Sequence, residues 1–204
     1  MRPLLLHFLA LIILGVSSAF TTAWAAECTV EPVRYAYSAT PINCRGVSNL
    51  YRVTAVLYRS AQPTAEGVRA ASRYLNVRTI INLQDDFKDE QLGIAPSRSL
   101  RLVQIPISSF DIPADHGRNL IEAVEAVEKY IRYGPVLVHC SRGADRTGAV
   151  IALFRMRNQR WKTDTAIREM ESGPYNYNHF YSLVPPGMGN VPAFLRTDTA
   201  FQKI

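Results

Sequence analysis

The chain has 204 residues, 48% of them hydrophobic, with a formal net charge of +6 and three cysteines. That size and apolar content suit one α/β domain with a sizeable core, and no repeat or low-complexity run interrupts it. The basic residues are scattered rather than clustered, which suits a solvated surface and gives no support to nucleic-acid binding.

Residues 1–25 differ in kind from the rest. They hold Arg2, no acidic residue, an apolar run from Leu4 to Val16, and Ala23-Trp24-Ala25 before Ala26. This pattern predicts a secretory signal peptide cleaved after Ala25. The alternative is an uncleaved anchor, but the run of about 13 residues is short of the roughly 18–20 that span a bilayer. No stable membrane insertion is expected after cleavage, and the protein is expected to be periplasmic or secreted. Glu27 before Cys28 argues against lipoprotein processing. Residues 26–48 read as an N-terminal segment ahead of the α/β pattern. In an exported chain, Cys28, Cys44 and Cys140 suggest one pair and one free thiol. A Cys28–Cys44 bond would add about 3 kcal/mol at most and leave Cys140 reduced; whether geometry permits it is not decided by sequence.

The main folded domain is expected over residues 49–204. Asn49 to Ser60 is β-rich, with Tyr51, Val53, Ala55 and Leu57 alternating. Pro63-Thr64 opens a helix whose apolar spacing runs Val68, Ala71, Leu75. Val77 to Leu83 is a strand, Gln84 to Gln91 is polar, and Leu102 to Ile105 is another strand. A loop with Ser108, Ser109, Asp111, Pro113 and Asp115 precedes a long helix, from Ala114 or Asp115 to Arg132, striped with Leu120, Ile121, Val124, Val127 and Ile131. Gly134-Pro135 ends it. Val136-Leu137-Val138 is a buried strand, followed by helices over Thr147–Arg160 and Thr163–Glu171. Residues 173–204 read as an irregular C-terminal segment with a short helix or two. Strands alternating with helices predict the α/β class: a central, mainly parallel sheet flanked by helices.

His139-Cys140-Ser141-Arg142-Gly143-Ala144-Asp145-Arg146-Thr147-Gly148 follows the buried strand and precedes a helix. Open α/β sheets place ligands at that end of a strand. The loop over Ser141, Arg142, Gly143, Ala144, Asp145 and Arg146 would turn its N–H groups inward, and such a nest at a helix N-terminus binds a phosphate dianion. Gly143 suits a position needing an unusual backbone angle. Arg146 supplies a planar fork for two phosphate oxygens. The same field favours a thiolate at Cys140. His139 is expected to support the loop from behind. Thr147 is read either as a hydroxyl donor to the leaving sulfur or as the cap of the following helix.

This string resembles the loop of the protein tyrosine and dual-specificity phosphatase superfamily, and is similar to its compact bacterial members exported to the periplasm. Leu57-Tyr58-Arg59-Ser60-Ala61-Gln62-Pro63 and Arg78-Thr79-Ile80-Ile81-Asn82-Leu83 extend the resemblance over roughly residues 49–172. The resemblance implies the cysteine phosphatase fold and a two-step reaction with no metal and no cofactor. Cys140 attacks phosphorus, Arg146 and the loop amides stabilise the equatorial oxygens, and a carboxylic acid protonates the leaving oxygen. Water then hydrolyses the cysteinyl-phosphate. The family keeps this acid on the loop before the long helix, which points to Asp111 first. Asp115 competes, although it also suits a helix N-cap. Asp145 is expected to face outward and orient a basic neighbour, or contact a substrate hydroxyl. Arg142 is placed on the rim. Asp85 and Asp86 read as loop residues.

The implied substrate is phosphotyrosine in a phosphorylated protein, with phosphoserine and phosphothreonine as further targets. The alternative is a phosphoinositide or other small-molecule phosphatase, although the loop carries no lysine. An inactive phosphate-binding module is opposed by Cys140, Arg146 and Asp111 together. A thiol redox protein or sulfurtransferase is opposed by Arg146-Thr147-Gly148 and by the lack of a Cys-x-x-Cys pair.

Overall fold

The computed structural model describes residues 28–31, 39–108, 117–178 and 191–197. The predicted signal peptide, and Asp111 and Asp115 with it, lie outside the described residues.

Seven strands form one sheet. They are β1 (Cys28–Val30), β2 (Thr40–Cys44), β3 (Tyr51–Thr54), β4 (Leu57–Ser60), β5 (Thr79–Asn82), β6 (Arg101–Gln104) and β7 (Val136–His139). The spatial order is β1-β2-β3-β4-β7-β5-β6. Strands β4, β7, β5 and β6 are parallel, and β1 to β3 extend the sheet antiparallel. The helices are α1 (Ala65–Tyr74), α2 (Arg118–Tyr130), α3 (Asp145–Gln159), α4 (Thr163–Ser172) and α5 (Val191–Thr197).

The parallel half follows from its side chains. All four residues of β7 are buried, because it lies between β4 and β5 with helices over both faces. A strand in that position reads as an unbroken apolar run. Alternation still sorts its side chains. Val136 and Val138 join Leu57, Ile81 and residues of α2 to α5 in one core, while Leu137 joins Tyr58, Ile80 and the Val68–Ala71 side of α1 in the other. Fully burying each Val or Leu contributes about 1.5–3 kcal/mol. Thr64 caps α1 by accepting from the Gly67 N–H.

Three features differ from the sequence expectations. The 26–48 segment does not precede the sheet but supplies β1 and β2, with Cys28 opposite Cys44 in the register and joined to it by a disulfide. The β-rich stretch 49–60 is a hairpin, because the chain turns at Ala55-Val56. And α3 begins at Asp145 rather than Thr147, with Ala144 as its N-cap residue. Thr147 is therefore inside the first turn and is not the helix cap. The described part of the long helix starts at Arg118, after Gly117 at φ 69, and tightens into a 3-10 turn at Ile131–Tyr133. Among the described residues no helix is long and apolar enough to cross a membrane.

Candidate active site

Residues 140–144 join the C-terminal end of β7 to α3, in the crevice between β4 and β5. Ser60 and Asn82 flank His139 on either side. The loop is held by its carbonyls. Ser141 O accepts from the Gln62 N–H at 3.1 Å, and Arg142 O from Asn49 Nδ2 at 2.8 Å. Arg59 Nη2 donates to Gly143 O at 2.8 Å and to Ala144 O at 3.4 Å. The Gly148 N–H also donates to Ala144 O at 2.7 Å. Four successive carbonyls are thus tied to the scaffold outside the loop.

No backbone N–H from Ser141 to Arg146 has an acceptor among the described residues. They form a nest of donors at the N-terminus of α3, which favours a bound anion. Cys140 is buried beside them and is the free cysteine of the chain. Gly143 makes the turn. Its φ is +69, and a Cβ there would stand 2.3 Å from Ser60 C and O. Only a residue without a side chain lets the loop lie this close to β4.

Arg146 reaches back over the ends of β5 and β6. Its Nη1 is 2.9 Å from Asp85 Oδ1, 3.2 Å from Ile107 O and 3.5 Å from Leu83 O. Asp85, expected to be only a loop residue, therefore meets the loop arginine. Arg142 pairs with Asp145 at 3.0 Å, and the other Asp145 oxygen accepts from the Asn178 N–H. That ties the rim of the loop to the chain after α4. Thr147 is fully buried, and its Oγ1 has no hydrogen-bond partner among the described residues.

Behind the loop lies a polar network. His139 Nε2 is 3.0 Å from Asp89 Oδ2, and both side chains are buried. Asp89 Oδ1 also accepts from Gln62 Nε2 and Asn82 Nδ2, and Gln62 in turn accepts from Gln84 Nε2. Burial pushes the Asp89 carboxyl up, but the bond and charge of His139 and the bond from Gln62 outweigh it and hold it below its ordinary value. The network links the residue before Cys140 to the ends of β4 and β5.

Sequence reasoning missed Asp89, the packing role of Arg59, and Tyr175 under it. An arginine inside the apolar Leu57–Ser60 run was the one available signal. Among the described residues, no three His, Cys, Asp or Glu side chains converge as a metal-binding group.

Comparisons with known proteins bear on the family and the fold. Residues 40–180 match the family described as "DSP-PTPase phosphatase fused to NAD+ Kinase". The chain is 35% identical over 127 residues to the dual specificity protein phosphatase TpbA of Pseudomonas aeruginosa, covering 62% of this chain and 55% of that one. It thus spans just over half the length of that curated relative. A crystal structure of P. aeruginosa TpbA in complex with pTyr superposes with a TM-score of 0.65 at 27% identity, covering 84% of this chain and all of that one. The inositol diphosphatase DSP3 of Arabidopsis thaliana is 29% identical over 126 residues, 61% of each chain.

Proposed function

The chain belongs to the DSP-PTPase phosphatase family, and from that premise we propose that this cysteine phosphatase hydrolyses phosphotyrosine in proteins, with phosphoserine and phosphothreonine as secondary targets. The observation that carries the chemistry is the loop itself: four carbonyls turned out, the amides without an acceptor among the described residues, and Cys140 beside them. The similarity to TpbA, and to its complex with pTyr, supports the choice of substrate.

The reaction needs three groups from this chain. The Cys140 sulfur forms a bond to phosphorus as the bond to the leaving oxygen breaks. The loop amides and Arg146 bind the equatorial oxygens, where negative charge is held in the transition state. For that, Arg146 leaves Asp85 and turns to the phosphoryl group. Asp111 donates its proton to the leaving oxygen, with Asp115 as the alternative. The same carboxylate then takes a proton from water as it attacks the cysteinyl-phosphate, which releases inorganic phosphate and the thiolate. His139, clamped by Asp89, fixes the strand end from which Cys140 projects. Thr147, whose buried Oγ1 has no partner among the described residues, is assigned to donate to the sulfur as it leaves.

A second reading has support from the inositol diphosphatases among the relatives: a phosphorylated small molecule such as an inositol diphosphate. The absence of lysine from residues 139–148 weighs against it. We also place the protein outside the cytoplasm. What supports this is the signal-like pattern of residues 1–25 and a disulfide between Cys28 and Cys44, since such bonds persist in oxidising compartments.

The test compares kcat/KM for phosphotyrosine, phosphoserine and phosphothreonine peptides and for an inositol diphosphate, with the Cys140→Ser protein as control. The proposal expects the phosphotyrosine peptide to lead and Cys140→Ser to bind phosphate without turnover. A leading inositol diphosphate overturns the substrate, and an active Cys140→Ser enzyme overturns the mechanism.

A further inference from the structure

Among the described residues, the interior behind the loop holds an uneven number of charges. Arg59 lies on β4 opposite Val138 of β7, and the alternation of the strands puts its side chain on the same face as Leu57, Val138 and Cys140. The side chain is fully buried. Its Nη2 binds the carbonyls of Gly143 and Ala144, while Nε and Nη1 have no partner among the described residues. Its guanidinium stacks on the Tyr175 ring, 3.7 Å from the centroid.

A second guanidinium, Arg155 of α3, shares this interior with one carboxylate, Glu169 of α4. Both oxygens of Glu169 are taken by Arg155, at 2.5 Å and 2.7 Å, and Oε1 also accepts from the Tyr175 hydroxyl at 2.8 Å. Tyr175 cannot supply a negative charge, because burial and then Glu169 push its hydroxyl far above the ordinary value. Nor can Arg59 shed its own charge. Burial lowers it, opposed by Tyr175, Glu169 and Cys140, but a guanidinium keeps its proton throughout the working range. Among the described residues the other charged groups nearby are already engaged: Arg146 with Asp85, Asp145 with Arg142, and His139 with Asp89. By the alternation of β7, His139 and its partner lie toward the opposite face.

A buried cation without a counter-ion is strongly unfavourable. We infer that Arg59 is a positioning residue whose counter-ion is the Cys140 thiolate, and that it also holds the Gly143 and Ala144 carbonyls away from the phosphate pocket. It acts from beneath the loop, whereas Arg146 acts on substrate from above. This inference rests on Cys140 being the nucleophile.

Three variants test it: Arg59→Met and Arg59→Gln remove the charge, and Arg59→Lys keeps it. Folding is checked by circular dichroism, and the rate of Cys140 alkylation by iodoacetamide is followed against pH. The neutral variants should move the alkylation midpoint up by about one pH unit, a tenfold smaller thiolate fraction below it. Gln retains a donor for the Gly143 carbonyl and so separates charge from loop support. Lys should return the midpoint toward that of the wild type. A folded neutral variant with a wild-type midpoint overturns the inference. If neither neutral variant folds, wild type and Cys140→Ser are unfolded in urea across the same pH range. The inference expects the wild type to gain stability over Cys140→Ser as the thiol ionises, and a pH-independent difference overturns it. The alkylation midpoint can fail this test while Cys140→Ser remains inactive, so the two readings fall separately.

Discussion

Replacing Gly143 by alanine adds one carbon at the tightest point of the loop. The backbone there has φ +69, a region that costs a residue with a Cβ about 1–2 kcal/mol. The new carbon would also lie 2.3 Å from Ser60 C and O and 2.4 Å from Ala61 N. Those are backbone atoms at the end of β4, so no side chain can swing aside. The loop must retreat by about 1 Å to reach ordinary contact at 3.4 Å. A retreat of that size strains the Arg59 bonds to the Gly143 and Ala144 carbonyls and displaces the amides that meet the phosphoryl group. Misplacing catalytic groups by 1 Å costs on the order of 100-fold in rate. We therefore expect Gly143→Ala to lose about 100-fold in kcat/KM for p-nitrophenyl phosphate, and about 2–3 kcal/mol of stability in urea unfolding. A variant within threefold of wild-type kcat/KM and of unchanged stability would refute the claim that close packing on β4 shapes the loop.

Asp85→Asn should lower KM for an aryl phosphate two- to fivefold with kcat nearly unchanged, since an exposed pair of about 0.2–1 kcal/mol no longer holds Arg146 from the substrate; a KM that rises tenfold would show Asp85 aiming Arg146 instead. The Asp89 carboxyl is held below its ordinary value, so it contributes stability above the unfolded value of about 3.9 and loses it as pH falls through the folded one. Urea unfolding should accordingly show the advantage of wild type over Asp89→Asn at pH 7 shrinking on acidification below about pH 4, and an advantage that grew in acid would contradict the His139 pairing. Glu169→Gln strands Arg155 in the interior and should cost about 3–5 kcal/mol in urea unfolding, with a loss below 1 kcal/mol arguing that the pair is solvated.

The catalytic strand is legible because its burial is total: Val136-Leu137-Val138 has no polar position, and the loop that follows has a fixed spacing from Cys140 to Arg146. The helical stripes of α1, α2 and α4 are legible for the same reason, since each has one apolar face. β1 and β2 are not. Thr40-Pro41-Ile42-Asn43-Cys44 has poor strand formers at Pro41 and Asn43, and becomes a strand through its pairing with β3 and its disulfide to β1. The start of α3 is also hidden, because Ala144 is not a capping type and Thr147 is. His139 and Asp89 lie 50 residues apart and meet only when β7 docks beside β5. No local pattern can announce such a pair. Arg59 is the opposite case: its position in the strand is visible, but alternation alone cannot tell a buried arginine from an exposed one when helices cover both faces.

The Cys28–Cys44 bond staples a three-residue strand along one margin of the sheet. Without it, β1 has little to keep it in place: Val30 is half exposed, and three residues bury almost nothing. Once β1 peels away, β2 presents a row of bare peptide groups, which is a template for another chain. The thiol reductants customarily added to keep a nucleophilic cysteine active would here act on two sulfur centres with opposite results. They would preserve Cys140 while unfastening the sheet margin, so colloidal stability would fail before turnover did. Handling this protein under mild reduction, with Cys140 kept reduced and the staple closed, follows directly from where its three cysteines sit.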